Sequence, residues 1–324
     1  RLYLFSMPKL YERNIQQLRG SSYILTLPKE WVLESGLEKG SSVLLAVEPY
    51  FIRIVPATKQ VKKTAKLMID EKIKVEEIEE AIKWAYVSGI DELTIFRTEG
   101  IPHSIRNNIR KLRTVIPGMI ISYEDSENLK VEFAEPTIKD FTNSLKTFLV
   151  SIKRIFQEIV NYIESKNVAE SDLLILIEES VGNSLLLSRL ASKSIIYPIL
   201  NSSTMNIYWL IATTTNTIEL TESVINVVDI TKSYSIKSYS IASLIKDIIS
   251  IFNNIFHLID DLNKENFNNF ITTIVNELND FKVRIEKSDL DNKIKIALIS
   301  CVEKIRMMIK NLSVYYLITA IYSY

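Results

Sequence analysis

The chain has 324 residues, of which 47% are hydrophobic and 24% are charged, so it carries enough apolar side chains to form the core of a soluble folded protein. Its single cysteine, Cys301, excludes an intrachain disulfide and a thiolate-rich zinc site, and no apolar run is long enough to span a membrane. We therefore expect a cytoplasmic protein without membrane insertion.

The formal net charge is zero, but the charges are unevenly distributed along the chain. Residues 1–66 contain eleven basic and five acidic side chains, which gives this part a net charge of +6. A basic end on a neutral chain favours a polyanionic partner such as DNA. The other interpretation is a solvated basic surface without a partner.

Residues 12–56 are predicted to form two short strands around an Arg-Gly-Ser-Ser turn, one helix that starts after Pro28, and two further strands. The apolar residues alternate within these strands. Hairpins and one short helix bury too little surface to be stable alone, so we expect residues 1–56 to fold as part of a dimer.

The amino-acid composition changes after residue 56, and again after residue 136. Residues 57–73 are rich in lysine and are interpreted as a charged connector, and residues 74–136 are predicted to form a small α/β unit. Only one glycine and one proline, Gly182 and Pro198, lie beyond residue 136. Residues 137–324 are therefore predicted to be six long helices in two three-helix bundles, which makes the fold class α+β.

Residues 12–56 resemble the AbrB/SpoVT swapped-hairpin domain. The resemblance is carried by Arg13, Gln16, Gly20, Ser21, Ser22 and the segments LPKEWV and GLEKG. It implies a homodimeric barrel that presents basic side chains to DNA. An arginine can donate paired hydrogen bonds to guanine, and a glycine turn lets backbone amides approach phosphate. The candidate DNA-binding residues are Arg13, Arg19 and Lys29, with Ser21 and Ser22 as lesser contacts.

Residues 74–134 and the following helices are similar to the archaeal PhoU-like regulators, in order and length and in the segment AIKWAYVSGIDELTIF. This resemblance implies a helical domain that receives a signal or a protein partner, and control of phosphate uptake. PhoU domains bind metal through acidic residues spaced by four. That spacing is incomplete around Glu178, Glu219 and Glu303, where Asn183 and Met307 stand in place of acids. We therefore predict that the helices hold no metal, and that Thr213, Thr214, Thr215 and Asn216 occupy the face where ligands would converge.

No enzyme motif is present in the sequence. It has no phosphate-binding loop, no nucleophile elbow and no zinc-protease signature, and its two histidines, His103 and His257, lie far apart. We expect a transcriptional regulator with no catalytic activity and no cofactor. Two alternatives stay open: an interaction protein whose helices dock on a transporter or regulator, and an architectural protein that binds DNA of any sequence.

Overall fold

The fold is described from a computed structural model. The residues it describes are 10–17, 20, 22–47, 51–57, 62–134, 141–164, 170–196, 204–233, 239–260 and 267–322. Their elements are of the α+β class, with strands confined to the first part of the chain and long helices after it. Of the candidate residues, Arg19 and Ser21 lie outside the described residues.

The N-terminal unit consists of two antiparallel hairpins and one helix. Strand β1 (Gln16–Gln17) pairs with β2 (Tyr23–Ile24), helix α1 covers Lys29–Glu34, and β3 (Val43–Val47) pairs with β4 (Ile52–Pro56). The order of elements agrees with the prediction. Pro28 precedes the helix, where its missing N–H costs nothing.

The α/β unit is a four-stranded sheet covered by helices on one face. Its elements are β5 (Thr64–Met68), α2 (Val75–Val87), β6 (Glu92–Phe96), α3 (His103–Lys111), a 3-10 turn (Leu112–Thr114), β7 (Met119–Glu124) and β8 (Asn128–Phe133). The strand order is β5-β6-β8-β7, in which only β5 and β6 are parallel. Helix α2 makes the crossover between those two strands, which parallel neighbours require.

Strand β5 corrects the interpretation of residues 57–73 as a connector. Ala65 and Leu67 are buried, and the residues that alternate with them, Thr64, Lys66 and Met68, are exposed. This alternation is that of a strand with one face on a core. Lys66 lies on the solvent face, and Lys62 and Lys63 directly precede the strand, so the segment reads as charged although the other face of the strand is apolar.

The C-terminal part contains six helices that share one apolar core. They are α4 (Phe141–Ile163), α5 (Glu170–Ile196), α6 (Thr204–Ser233), α7 (Tyr239–Asp260), α8 (Phe267–Lys287) and α9 (Asn292–Tyr322). Six long helices were predicted for residues 137–324. Their packing is continuous, because α6 lies along α9 and α4 packs on α7, in addition to the contacts that link α4 to α5, α5 to α6, α7 to α8 and α8 to α9. None of the helices in the described ranges is both long enough and apolar enough to cross a bilayer.

Helix α5 joins the two cores. Leu187 and Ala191 belong to the core of the six helices, whereas Leu185 belongs to the core of the α/β unit. The helix can approach the α/β unit closely because residue 182 is glycine: a Cβ atom there would lie 2.7 Å from the carbonyl oxygen of Val115. The second half of α5 is therefore buried on nearly all sides.

Candidate nucleic-acid interface

The N-terminal unit has almost no core of its own. Within the described residues of 10–57, only Ser35 and Leu37 are buried. Large apolar side chains on both hairpins face solvent instead, and their exposed fractions reach 70% for Tyr23 and 74% for Val47. Because an apolar surface of this extent marks an interaction site, the unit presents a surface suited to a second protein chain.

The described candidate residues are all exposed, and they lie at two ends of the first hairpin. Ser22 precedes β2 at the turn. At the open end, the Arg13 guanidinium lies 5.4 Å from the centre of the Tyr11 ring, and the Tyr11 hydroxyl donates a hydrogen bond to Glu30 at 3.1 Å. Tyr11 thus connects Arg13 to the first turn of α1, where Lys29 lies.

Arg13 also donates a hydrogen bond to the carbonyl oxygen of Glu12 at 2.9 Å, so in this conformation its guanidinium lies against the local backbone. Both Arg13 and Lys29 remain accessible to a polyanion. Charged side chains that reach solvent from one edge can contact successive phosphates of a duplex.

An ion cluster lies behind the N-terminal unit, and the sequence did not predict it. Asp91, just before β6, accepts hydrogen bonds on Oδ1 from Lys193 Nζ at 2.7 Å and Arg189 Nη2 at 3.0 Å. Its Oδ2 atom accepts from the Lys63 backbone N–H at 2.8 Å. The Arg189 side chain is fully buried and the Lys193 side chain is 5% exposed. This cluster fixes α5 on the edge of the α/β unit.

Arg189 makes further contacts within this cluster. Its Nη1 atom donates to the carbonyl oxygens of Tyr86 and Ile90, and its guanidinium stacks 4.8 Å from the centre of the Tyr86 ring. These contacts offset the cost of burying an arginine. The spacing of Arg189 and Lys193, one turn apart in an apolar segment, is the sequence signal that could have indicated a buried carboxylate partner.

Arg53 connects the N-terminal unit to the same region. Its Nη1 atom donates to the carbonyl oxygens of Ser194 and Ile195, at 3.3 and 3.2 Å. These carbonyls lie in the last turn of α5, where the helix dipole favours a positive charge. The contact therefore joins β4 to the end of the helix that serves both cores.

The acidic residues considered as metal ligands are dispersed or paired with cations. Glu178 and Glu222 are exposed, Glu219 pairs with Lys304, and Glu303 accepts from Lys282 at 2.9 Å. The pKa of Glu303 is lowered, chiefly by the Lys282 hydrogen bond. Within the part of the chain that the structure describes, no three His, Cys, Asp or Glu side chains converge. The absence of metal stays a prediction.

Residues 213–216 of α6 were predicted to lie on one face of the helix, and one of the four does not. Thr213, Thr214 and Asn216 are buried, but Thr215 is exposed because one turn of helix cannot direct four consecutive residues to one face. Each threonine hydroxyl donates to a carbonyl oxygen of its own helix, as Thr213 does to Trp209. Such hydroxyls need no partner from another helix.

Comparison with known proteins finds a similarity in the first part of the chain. Residues 16–62 match the family described as antidote-toxin recognition MazE, bacterial antitoxin. The match supports the expected N-terminal domain of the MazE/AbrB type, a type that binds DNA and acts as a dimer. Neither the search of curated proteins nor the search of solved structures gives a match.

Proposed function

We propose that this chain is a homodimeric, cytoplasmic transcriptional regulator that reads DNA with its N-terminal swapped-hairpin domain. The observation that carries the proposal is the match of residues 16–62 to the MazE family, on a unit in which most apolar side chains of the described residues are exposed. Two copies that exchange hairpins into one barrel would bury these side chains. The dimer would then bring two sets of basic residues to one duplex.

The DNA contacts in this proposal are Arg13, Arg19 and Lys29, with Ser21 and Ser22 beside them. Arg13 and Lys29 are exposed at the open end of the first hairpin, and Ser22 is exposed at its turn. Two-stranded ribbons fit the major groove, where arginine discriminates guanine, while hydroxyls and lysine contact phosphate.

The helical part is proposed to be a PhoU-like domain that receives a signal or a protein partner, and the regulated process is proposed to be phosphate uptake, as in archaeal regulators of this kind. The packing supports two related three-helix units, because α4, the first helix of one unit, packs on α7, the first of the other. The third helices, α6 and α9, also pack together. Neutral and paired residues at the expected ligand positions favour a partner over a metal as the signal.

Fluorescence anisotropy across a salt series tests this function. Specific binding to an operator found by genome-wide immunoprecipitation, stronger than binding to random duplex, is expected. Arg13→Ala should lower the salt slope by about one unit if Arg13 contacts phosphate, or cost about 1–3 kcal/mol in a sequence-dependent way if it reads a base. The control is Arg284→Ala on α8, which leaves the N-terminal unit intact. Equal binding by wild type and an Arg13→Ala, Arg19→Ala double variant would refute this assignment.

The second candidate is an interaction protein in which the barrel only dimerises and the helices dock on a transporter or another regulator. The MazE description supports a protein partner, because the matched family is named for recognition of a toxin, which is a protein, although the match covers residues 16–62 and not the helices. No binding to any duplex at low salt would select this candidate. Strong, salt-sensitive binding without sequence preference would select an architectural DNA binder instead.

A further inference from the structure

A cleft of about 510 Å³ lies where the N-terminal unit, the α/β unit and the end of helix α5 meet. Its volume is in the range of sites for small molecules. Much of its wall is apolar, and the apolar side chains belong to Trp31, Ile54, Val55, Pro56 and Ile195. Ile195, in the last turn of α5, is 47% exposed. The cleft therefore offers an apolar surface that the described chain leaves uncovered.

The cations that line the cleft already donate hydrogen bonds within the protein. They are Arg53, Lys63 and Lys193, whose acceptors include backbone carbonyl oxygens and Asp91. An anionic ligand would have to compete with these contacts. A cationic ligand would be repelled, because the three basic side chains face only two carboxylates, those of Glu34 and Asp91, in the lining. The cleft therefore favours a ligand without charge.

Two polar side chains of the lining have no partner among the described residues, and both are adjacent at the end of α1. Ser35 is 7% exposed, and its hydroxyl forms no hydrogen bond with any residue in the described ranges. Glu34 is exposed, and its carboxylate forms neither an ion pair nor a hydrogen bond within those ranges. A ligand can therefore form hydrogen bonds with both groups without breaking a contact of the protein.

These two groups and Trp31 define the chemistry of the ligand. An ionised carboxylate only accepts hydrogen bonds, so Glu34 requires an O–H or N–H donor, whereas the Ser35 hydroxyl can donate or accept. The Ser35 backbone N–H donates to the Trp31 carbonyl oxygen at 2.9 Å, which keeps the helical spacing of four residues. Residues three and four apart share a helix face, so Trp31 lies on the same side as both polar groups. Its indole ring offers a surface on which an aromatic ring can stack.

We propose that this cleft binds an uncharged aromatic molecule that carries a hydrogen-bond donor. Trp31 contacts its ring, Glu34 accepts from its donor, and Ser35 contacts the same polar group. The site is independent of the proposed DNA function, because none of these side chains is among the DNA contacts. A bound ligand would touch both α1 and α5, and so would add contacts between the N-terminal unit and the helices.

Isothermal titration of the full chain with four probes of similar shape tests the chemistry of the site. The probes are naphthol, methoxynaphthalene, naphthoate and naphthylmethylammonium. We expect saturable binding of naphthol, which is uncharged and has an O–H donor. The methoxy probe lacks the donor, the carboxylate probe is repelled by Glu34, and the ammonium probe is repelled by the three cations of the lining. Each of these should bind at least about fivefold more weakly than naphthol.

Variants of two glutamates separate this site from a general affinity for aromatic molecules. Glu34→Gln should weaken naphthol binding by about fivefold to tenfold, because a hydrogen bond to a charged acceptor becomes one to a neutral acceptor. Glu34 is exposed, so the substitution leaves the fold intact. The matched control is Glu38→Gln, which removes the same charge from an exposed position of the N-terminal unit outside the cleft and should leave the affinity unchanged.

Three outcomes of these titrations would overturn the proposal. They are no binding of naphthol to wild type, equal affinity for naphthol and any of the other three probes, and equal effects of Glu34→Gln and Glu38→Gln. Sedimentation velocity adds a fourth. If naphthol dissociates an assembly of two chains, the apolar wall of the cleft belongs to a contact between copies, which would likewise refute a small-molecule site.

Discussion

Asp91 and Glu92 are adjacent carboxylates that each bind two cations, yet their surroundings differ. The partners of Asp91 are buried, with Arg189 and Lys193 side chains 0% and 5% exposed. The partners of Glu92 are Lys62 and Lys130, which are 63% and 34% exposed. Removing a carboxylate from buried cations costs far more than removing one from cations that water can solvate.

We therefore predict that Asp91→Asn lowers the free energy of unfolding by about 3 kcal/mol. Glu92→Gln, the matched control one residue away, should lower it by less than about 1 kcal/mol. Denaturant unfolding followed by circular dichroism measures both. Equal effects of the two variants would contradict the structural role assigned to the ion cluster.

The hydrogen bonds of Asp125 predict how the stability of the protein changes at acidic pH. It accepts a hydrogen bond from the Tyr123 hydroxyl at 2.8 Å and others from the backbone N–H groups of Glu127 and Asn128. These bonds, that of Tyr123 foremost, lower the pKa of Asp125 from 3.8 to about 2. A carboxylate with a lowered pKa in the folded state stabilises the protein above its ordinary pKa, and this contribution is lost as pH falls toward the lowered value.

The stability difference between wild type and Asp125→Asn should therefore shrink as pH falls from about 5 to about 2. Urea unfolding at a series of pH values measures this difference. A difference that stays constant across the series would show that ionisation of Asp125 is not coupled to folding.

At the scale of elements, Gly182 sets how closely α5 approaches the α/β unit. An alanine in an exposed helix normally stabilises it by about 0.5–1 kcal/mol relative to glycine. Here the added Cβ would meet the carbonyl oxygen of Val115, a backbone atom that cannot move aside. We predict that Gly182→Ala destabilises the fold by about 1–3 kcal/mol, measured by thermal unfolding.

Glu178→Ala is the control for that substitution, because Glu178 is exposed on the same helix. It should change stability by no more than about 0.5 kcal/mol. A neutral or stabilising effect of Gly182→Ala would mean that the two units separate easily at this contact.

Helices and strands were predicted well where the apolar residues follow a single period, either helical or alternating. Helix α7 carries Ile248, Ile251 and Ile255 at steps of three and four on a buried stripe, while Lys246 and Asn253 are exposed. Strand β5 was missed because Lys66 on its solvent face, with Lys62 and Lys63 just before it, made its segment resemble a linker. Helix α5 has buried serines, Ser184, Ser188 and Ser194, among the apolar residues of its second half, so its polar and apolar residues do not divide into two faces and its pattern could not indicate that it serves two cores.

The identity of the partners in the ion cluster was beyond prediction for a different reason. Asp91 and Arg189 are 98 residues apart, and Arg53 lies 141 residues before Ser194, so their contacts depend on how whole units pack. Local propensity holds no information about such pairs. The candidate DNA-binding residues came instead from one short local segment, and the structure leaves Arg13, Ser22 and Lys29 exposed as that role requires.

At the scale of the whole molecule, the exposed apolar strands predict how the chain assembles. Leu45 on β3 is 59% exposed although it lies in a run of apolar residues. We predict that Leu45→Glu shifts the protein from dimer to monomer at low micromolar concentration, because a charge would have to be buried between subunits. Sedimentation velocity measures the shift.

Leu174→Glu, at an equally exposed position on α5, is the control and should leave the dimer intact. The helical content of both variants should stay unchanged, because the α/β unit and the six helices have their own cores. A wild-type protein that sediments as a monomer at this concentration would refute the assembly outright.

The position of Cys301 has a practical consequence for testing all of these ideas. It is the only cysteine in the sequence, it is completely buried among the helices, and burial raises the pKa of its thiol. The folded chain therefore offers no thiolate to maleimide or nitroxide reagents. A cysteine introduced at an exposed position, such as Ser22, would be labelled alone, and two such labels in one assembly would report the distance between subunits directly.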